Sequence, residues 1–261
     1  MNQLDAFRLD DRVAFVSGGG GAIGTAIALA LASAGARIVV GDIDQGRADA
    51  TAKAVGDAGS ECLAIAANIA DPTQAERLVA RALDRFGRLD IVVNAVGGGA
   101  GKVIFDAETY PLKEWDWIME LNLRSTLVAT QAAVKAMIQG GRGGRVLNIS
   151  SVRAQLGINT GYSAYVAAKG AVSSLTRQWA TEWAKHGINV NAIAPTFVDT
   201  PQVAMLLDDP DFKAGVISRI PLKRVGETKD LVGAALFFTS DASSFVTGQI
   251  LTIDGGLTAT Q

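Results

Sequence analysis

The stretch Val13-Ala14-Phe15-Val16-Ser17-Gly18-Gly19-Gly20-Gly21-Ala22-Ile23-Gly24 decides the fold. Its leading apolar residues suit a short strand buried on both faces, and the glycines that follow force a tight turn. An Ala-rich helix then runs over 22–34 and stops at Gly35. Residues 37–40, Arg-Ile-Val-Val, read as a second strand, and Asp42 ends it, 18 residues after Gly24. Strand, turn, helix and strand form the unit from which parallel sheets are built.

The alternation continues along the chain. Helical period over 45–57 leads to a strand at 62–66, and Asp71-Pro72 caps a third helix that runs to 86, with Pro at its first position. Strands follow at 89–93 and 144–149, separated by a loop containing Gly97, Gly98, Gly99 and Gly101 and by a long helical region at 112–138. A helix over 162–185 precedes a strand at 188–193. A charged, less regular insert covers 201–219, and a helix at 229–238 leads to a last strand at 249–253. Seven strands alternating with about six helices predict a single α/β domain over 1–261. It is a doubly wound parallel sheet with helices on both faces and right-handed crossovers. Such sheets bind ligands beyond the carboxyl ends of their strands, so functional residues should fall just after strands.

Bulk properties narrow the function. With 49% hydrophobic residues and 29 glycines, the chain of 261 residues can build a large core with many tight turns. A net charge of −2 offers no basic field for nucleic acid. The single cysteine, Cys62, excludes an intrachain disulfide and a Cys-based metal cluster, and the single histidine, His186, excludes a site built from several imidazoles. His186 fits the last helical turn before a Gly187 cap. No apolar run approaches the ~20 residues of a membrane-spanning helix. Residues 1–11 carry four charges and no signal-like run, so the expectation is a cytoplasmic protein with no metal and no membrane or nucleic-acid partner.

Two constellations carry chemistry. Glycines between the first strand and helix let the backbone approach a pyrophosphate, which sits on the helix N-terminus. An acid at Asp42 can accept both adenosine ribose hydroxyls, and its charge repels a 2′-phosphate. With no Arg or Lys immediately following Asp42, NAD is favoured over NADP. The second constellation is Tyr165-Val166-Ala167-Ala168-Lys169, which places a phenol and an ammonium one helical turn apart on one face. A cation beside a phenol favours the phenolate, so Tyr165 can act as an acid or base below its usual pKa of about 10. Taken alone, that spacing is also met in helices without any chemical role.

With these residues in place, the chain resembles the short-chain dehydrogenase/reductase family over nearly all its length. Residues 17–24 resemble that family's TGxxxGxG turn, with Ser17 for Thr and Ala22 for the second glycine. The resemblance implies a Rossmann-type fold in which Ser17, Gly18, Gly21, Ala22, Ile23 and Gly24 cradle the dinucleotide. Asn94-Ala95-Val96-Gly97 resembles the family's NNAG, and Asn68-Ile69 stands where an Asp-Val pair contacts adenine. Residues 191–195 (Asn-Ala-Ile-Ala-Pro), with Val198 and Thr200, resemble the segment that holds the nicotinamide carboxamide, ending in Pro195; Thr196 replaces a usual Gly. Asp254-Gly255-Gly256 resembles the closing motif. Asn122, Ser151, Tyr165 and Lys169 match the catalytic tetrad, although Ser151 to Tyr165 is one residue longer than the commonest interval. The family also implies a homotetramer.

On this reading Tyr165 takes the hydroxyl proton of a secondary alcohol while its hydride leaves for the cofactor. Lys169 stabilises the phenolate and donates to the nicotinamide ribose. Ser151 binds the substrate oxygen, and Asn122 holds a water that links Lys169 to solvent. Tyr162 faces the pocket. Arg153 either clamps an anionic substrate group or is a solvated loop arginine. Trp179 and Trp183 belong to the core or to a subunit interface. Residues 197–222 form a substrate lid.

Within the family the region 151–226 resembles gluconate 5-dehydrogenase and related sugar or polyol dehydrogenases. It implies an NAD-dependent oxidoreductase acting on a sugar, a sugar acid or another anionic sugar such as a sulfonated one. Two alternatives stay open: a 3-oxoacyl-carrier-protein reductase, and a non-catalytic dinucleotide-binding regulatory protein.

Overall fold

A helix separates each strand from the next, supplying the long crossover that parallel pairing requires. The computed structural model describes residues 3–260. Its strands are β1 (Val13–Ser17), β2 (Arg37–Asp42), β3 (Cys62–Ala66), β4 (Ile91–Asn94), β5 (Gly144–Ile149), β6 (Ile188–Pro195) and β7 (Ile250–Ile253). They form one sheet of order β3-β2-β1-β4-β5-β6-β7, parallel throughout. The order reverses between β1 and β4, which opens a crevice at their carboxyl ends.

Helices cover both faces. On one side α1 (Ala22–Ser33), α2 (Gln45–Asp57) and α9 (Lys229–Thr239) bury Ile27, Leu31, Val55, Leu231 and Phe238 against the sheet. On the other, α3 (Pro72–Phe86), α5 (Ser125–Gly140) and α6 (Ser163–Trp183) bury Leu78, Ala133, Met137 and Trp179. Trp179 is therefore a core residue, with its ring stacked 5.2 Å from that of Trp183. Caps fall where the sequence puts them. Asp71 accepts from the Thr73 and Gln74 N–H groups to start α3, and Gly87 ends it with φ +72°.

Two regions differ from the expectation. The helical region at 112–138 is α4 (Leu112–Met119), a π turn (Glu120–Arg124) and then α5. The turn carries Asn122, and such single π turns are insertions within an otherwise α-helical stretch. The insert at 201–219 is two helices, α7 (Pro201–Leu207) and α8 (Pro210–Ser218), each with Pro in its first turn. Asp209 caps α8 as Asp71 caps α3. Among the described residues no helix is long and apolar enough to cross a membrane.

Candidate active site

The glycine turn closes on itself. Gly18 and Gly19 N–H groups donate to Gly41 O, and Gly21 N–H donates to Gly18 O. A methyl group on Gly24 would run into Gly18 O, and one on Gly18 (φ +69°) would come 2.7 Å from Val96 N. Helix α1 starts at Ala22 after Gly21 with no side-chain cap, so its first N–H groups are presented to the crevice. This backbone cradle, free of side chains, fits a pyrophosphate.

Asp42, at the end of β2, is buried and accepts from the N–H groups of Gly20 and Asp44, at 3.1 Å each. Its carboxylate also receives Arg47 Nη2 at 3.1 Å. Arg47 follows Asp42 by five residues and reaches back from the first turn of α2, so inspecting only the next position overlooks it. The charge that should repel a 2′-phosphate thus has a guanidinium beside it. Of the adenine-side candidates, Asn68 is exposed, and Ile69 is buried in the core, which leaves only its backbone for a ligand. The Asn94 amide is committed inside the protein: its Nδ2 donates to Thr130 Oγ1 and Asn148 Oδ1 at 2.7 and 2.8 Å, and Ser17 Oγ donates to its Oδ1 at 3.4 Å.

The four tetrad candidates converge at the ends of β4 and β5. Lys169 is buried, and its Nζ donates to Ile149 O at 2.8 Å. Burial pushes its pKa down to about 8. The Nζ lies 5.8 Å from the Tyr165 ring centroid. Burial raises the Tyr165 pKa, and the nearby Ser151 hydroxyl offsets part of the rise. In this arrangement the Lys169 ammonium points one of its three N–H donors at Ile149 O rather than at the phenol. Ser151 Oγ accepts from Arg153 N–H at 3.1 Å and donates to Pro195 O at 3.5 Å. Asn122 is fully buried. It accepts from Gly98 N–H at 2.8 Å and donates to Gly98 O and Ile118 O, at 3.0 Å each. Its amide therefore clamps the β4–α4 loop. A side chain on Gly97 would come within 3.0 Å of both Asn122 Oδ1 and Lys169 Nζ, so this position requires glycine.

The longer Ser151–Tyr165 interval is taken up by a 3-10 turn, Val152–Ala154, and the loop after it. This bend sends Arg153 inward, and its Nη1 donates to Gly157 O at 2.9 Å. Arg153 as a residue is only 6% exposed. Its charge acts on Tyr162 and Tyr165, whose rings meet edge to face at 6.4 Å. Burial raises the Tyr162 pKa, and Arg153 opposes the rise. Val198 bridges to Gly226, Thr200 precedes α7, and Gln202 of α7 donates to Gly97 O at 3.2 Å.

Two measurements check this geometry. Gly24→Ala should weaken ADP-ribose binding about tenfold or more, the scale of an overpacked site. Gly56→Ala, in open space on α2, should leave it unchanged. Calorimetric titration reads both. For Lys169, the folded pKa of about 8 lies below the ordinary 10.5, so between these values the unfolded chain binds more protons. Stability should therefore rise with pH across that window, by on the order of 3 kcal/mol at most, and the rise should be missing in Lys169→Met. Urea midpoints of the two proteins at stepped pH give the difference.

Comparison with known proteins supplies the family. A family model described as enoyl-(acyl carrier protein) reductase matches residues 20–258. The chain is 38% identical over 254 residues to 2-dehydro-3-deoxy-D-gluconate 5-dehydrogenase of Escherichia coli K12, covering 97% of this chain and 98% of that one. It is 35% identical over 252 residues to a 3-oxoacyl-[acyl-carrier-protein] reductase of Thermotoga maritima, covering 96% and 99%. A crystal structure of a gluconate 5-dehydrogenase from Burkholderia cenocepacia J2315, in complex with NADP and tartrate, superposes with TM-score 0.91 at 35% identity, covering 99% of each chain. With this fold, this glycine turn and these full-length likenesses, the chain belongs to the short-chain dehydrogenase/reductase family and is an oxidoreductase of alcohol groups that binds a nicotinamide dinucleotide.

Proposed function

We propose that the enzyme is a dehydrogenase of anionic sugars, sugar acids above all, oxidising a secondary alcohol next to the Ser151–Tyr165 pair. The observation that carries this reading is Arg153: a buried guanidinium facing Tyr162 and Tyr165, with no carboxylate acting on it among the described residues. A buried cation without a counter-ion is costly, and a substrate carboxylate or sulfonate would supply one. The sugar-acid dehydrogenases among its relatives support the same substrate class.

When bound, the nicotinamide accepts or returns the hydride. The protein's own part is proton management and orientation. Ser151 Oγ donates to the substrate oxygen, Tyr165 takes or gives its proton, Lys169 exchanges Ile149 O for the cofactor ribose, and Asn122 holds the loop that frames them. Residues 197–222, with α7 latched by Gln202 to Gly97, serve as the lid. We also place the enzyme in the cytoplasm as a homotetramer.

NAD is the favoured cofactor, since Asp42 retains acceptor capacity for ribose hydroxyls. Arg47 gives a 2′-phosphate a counter-charge and narrows that preference. Arg47→Ala should weaken NADPH binding roughly tenfold and leave NADH within about twofold, as for loss of one charged contact. Fluorescence titration of the two reduced cofactors measures this; equal losses for both would refute the role of Arg47.

The substrate reading is tested with neutral polyols, gluconate-type acids and sulfonated sugars in the presence of NAD. Arg153→Ala should raise KM for the anionic members about tenfold and spare the neutral ones. Loss on both alike would dispose of the clamp. Tyr165→Phe should lower kcat by about a hundredfold or more. Because burial raises the Tyr165 pKa, wild-type oxidation should accelerate as pH becomes alkaline, a dependence that Tyr165→Phe should lose. A β-ketoacyl thioester with NADPH in the same panel tests the second reading, favoured by the Thermotoga relative: turnover there and none on sugars would select it.

A further inference from the structure

Beneath the site, a row of hydrogen-bonded polar side chains crosses the buried sheet. Ser17, Asn94 and Asn148 are direct register partners on β1, β4 and β5, forming one row across three strands. All three are buried. Asn148 accepts from Asn94 and donates, through Nδ2, to Thr176 Oγ1 of α6 at 2.9 Å. Thr176 in turn donates to Val172 O at 2.9 Å. From Asn94 a second branch enters α5: Thr130 donates to Thr126 O at 2.7 Å, and Thr126 donates to Asn122 O at 3.0 Å.

Every amide and hydroxyl in this chain has a partner, and the directions are fixed. Reversing the Asn148 amide would set its NH2 against that of Asn94. Buried amides are costly unless satisfied, so the arrangement tolerates neither a strand slip nor a rotation of α6. Aliphatic side chains would bury as well but would leave the helix freer to slide.

What the chain fastens is informative. Lys169, Ser173 and Thr176 lie on one face of α6, at helical spacings of four and three. All three meet the end of β5: Lys169 Nζ with Ile149 O, Ser173 Oγ with Ser150 Oγ at 2.7 Å, and Thr176 with Asn148. Ser150 Oγ also donates to Lys169 O at 3.3 Å. The helix bearing Tyr165 and Lys169 is thereby stitched to the strand that leads to Ser151. Through Asn94 and Ser17 the same strand is tied to the glycine turn.

We propose that Asn148 and Thr176 are positioning residues, which set the height and rotation of α6 so that Lys169 meets the nicotinamide half of a dinucleotide whose pyrophosphate rests on the β1 turn. This rests on dinucleotide binding alone and not on the sugar-acid reading. The test needs no substrate. Thr176→Val keeps the shape and removes the hydroxyl, whereas Thr176→Ser keeps the hydroxyl and leaves a small gap. NADH and ADP-ribose, which lacks the nicotinamide, are the two probes, titrated against each protein, with thermal unfolding recorded alongside.

Thr176→Val should bind NADH about five- to tenfold more weakly, the scale of one lost hydrogen bond, and should bind ADP-ribose as wild type does. Thr176→Ser should match wild type for both. If the valine protein does not fold, the comparison of Thr176→Ser with Thr176→Ala isolates the same hydroxyl. Wild-type NADH affinity without the hydroxyl, a parallel loss of ADP-ribose, or equal damage from serine would each overturn the proposal.

Discussion

Burying the Lys169 ammonium is the constraint on which the site depends. Its hydrogen-bond acceptor in this structure is a strand carbonyl, Ile149 O, and desolvation brings its pKa down to about 8. A charge held so weakly must be surrounded closely. Gly97 gives up a side chain to lie against it, and Asn122 clamps the next residue of that loop. Three elements, the β4–α4 loop, the end of β5 and α6, therefore have to meet at one nitrogen. The parallel sheet makes this possible, because its carboxyl ends bring consecutive loops to the same edge.

Much of this was legible in the sequence, for physical reasons. Strands buried on both faces show as apolar runs, and Gly18 and Gly24 stand where backbone approaches backbone, so the sheet and the turn could be read directly, whereas the tetrad positions came from the family resemblance. Other features leave weaker traces. The π turn at Asn122 is too short to stand out within a long helical segment. The helices α7 and α8 lie in a segment whose charge suggests irregularity, although Asp209-Pro210 repeats the signal of Asp71-Pro72. Thr176 acts across the fold, and spacing along the chain does not show which strand a helix residue meets. Asn148 did leave a sign: an amide within Val-Leu-Asn-Ile on a central strand.

The electrostatics of Tyr165 depend on more than its distance along the helix from Lys169. An ammonium one turn away was expected to lower the phenol's pKa, yet helical spacing fixes only which face two side chains share. Lys169 gives one of its three donors to Ile149 O, and burial raises the phenol's pKa. The resting group is thus a neutral phenol, the form that delivers a proton to a carbonyl. To act as a base it needs a cation moved nearer, and Lys169 turning toward a ribose is the available movement.

Arg153 sets a second balance in the same pocket. Its charge is among the influences that favour ionisation of Tyr165, and burial works against that charge itself. An anionic group bound to Arg153 would neutralise the guanidinium and relieve the cost of burying it. It would also withdraw support from the phenolate just as the alcohol arrives. Substrate recognition and base strength therefore draw on one charge, and tighter binding at Arg153 must leave Tyr165 more dependent on Lys169. That dependence gives the hydrogen-bonded mounting of α6 on β5 its importance: a pocket that uses one arginine to hold its substrate relies on the other cation being in place.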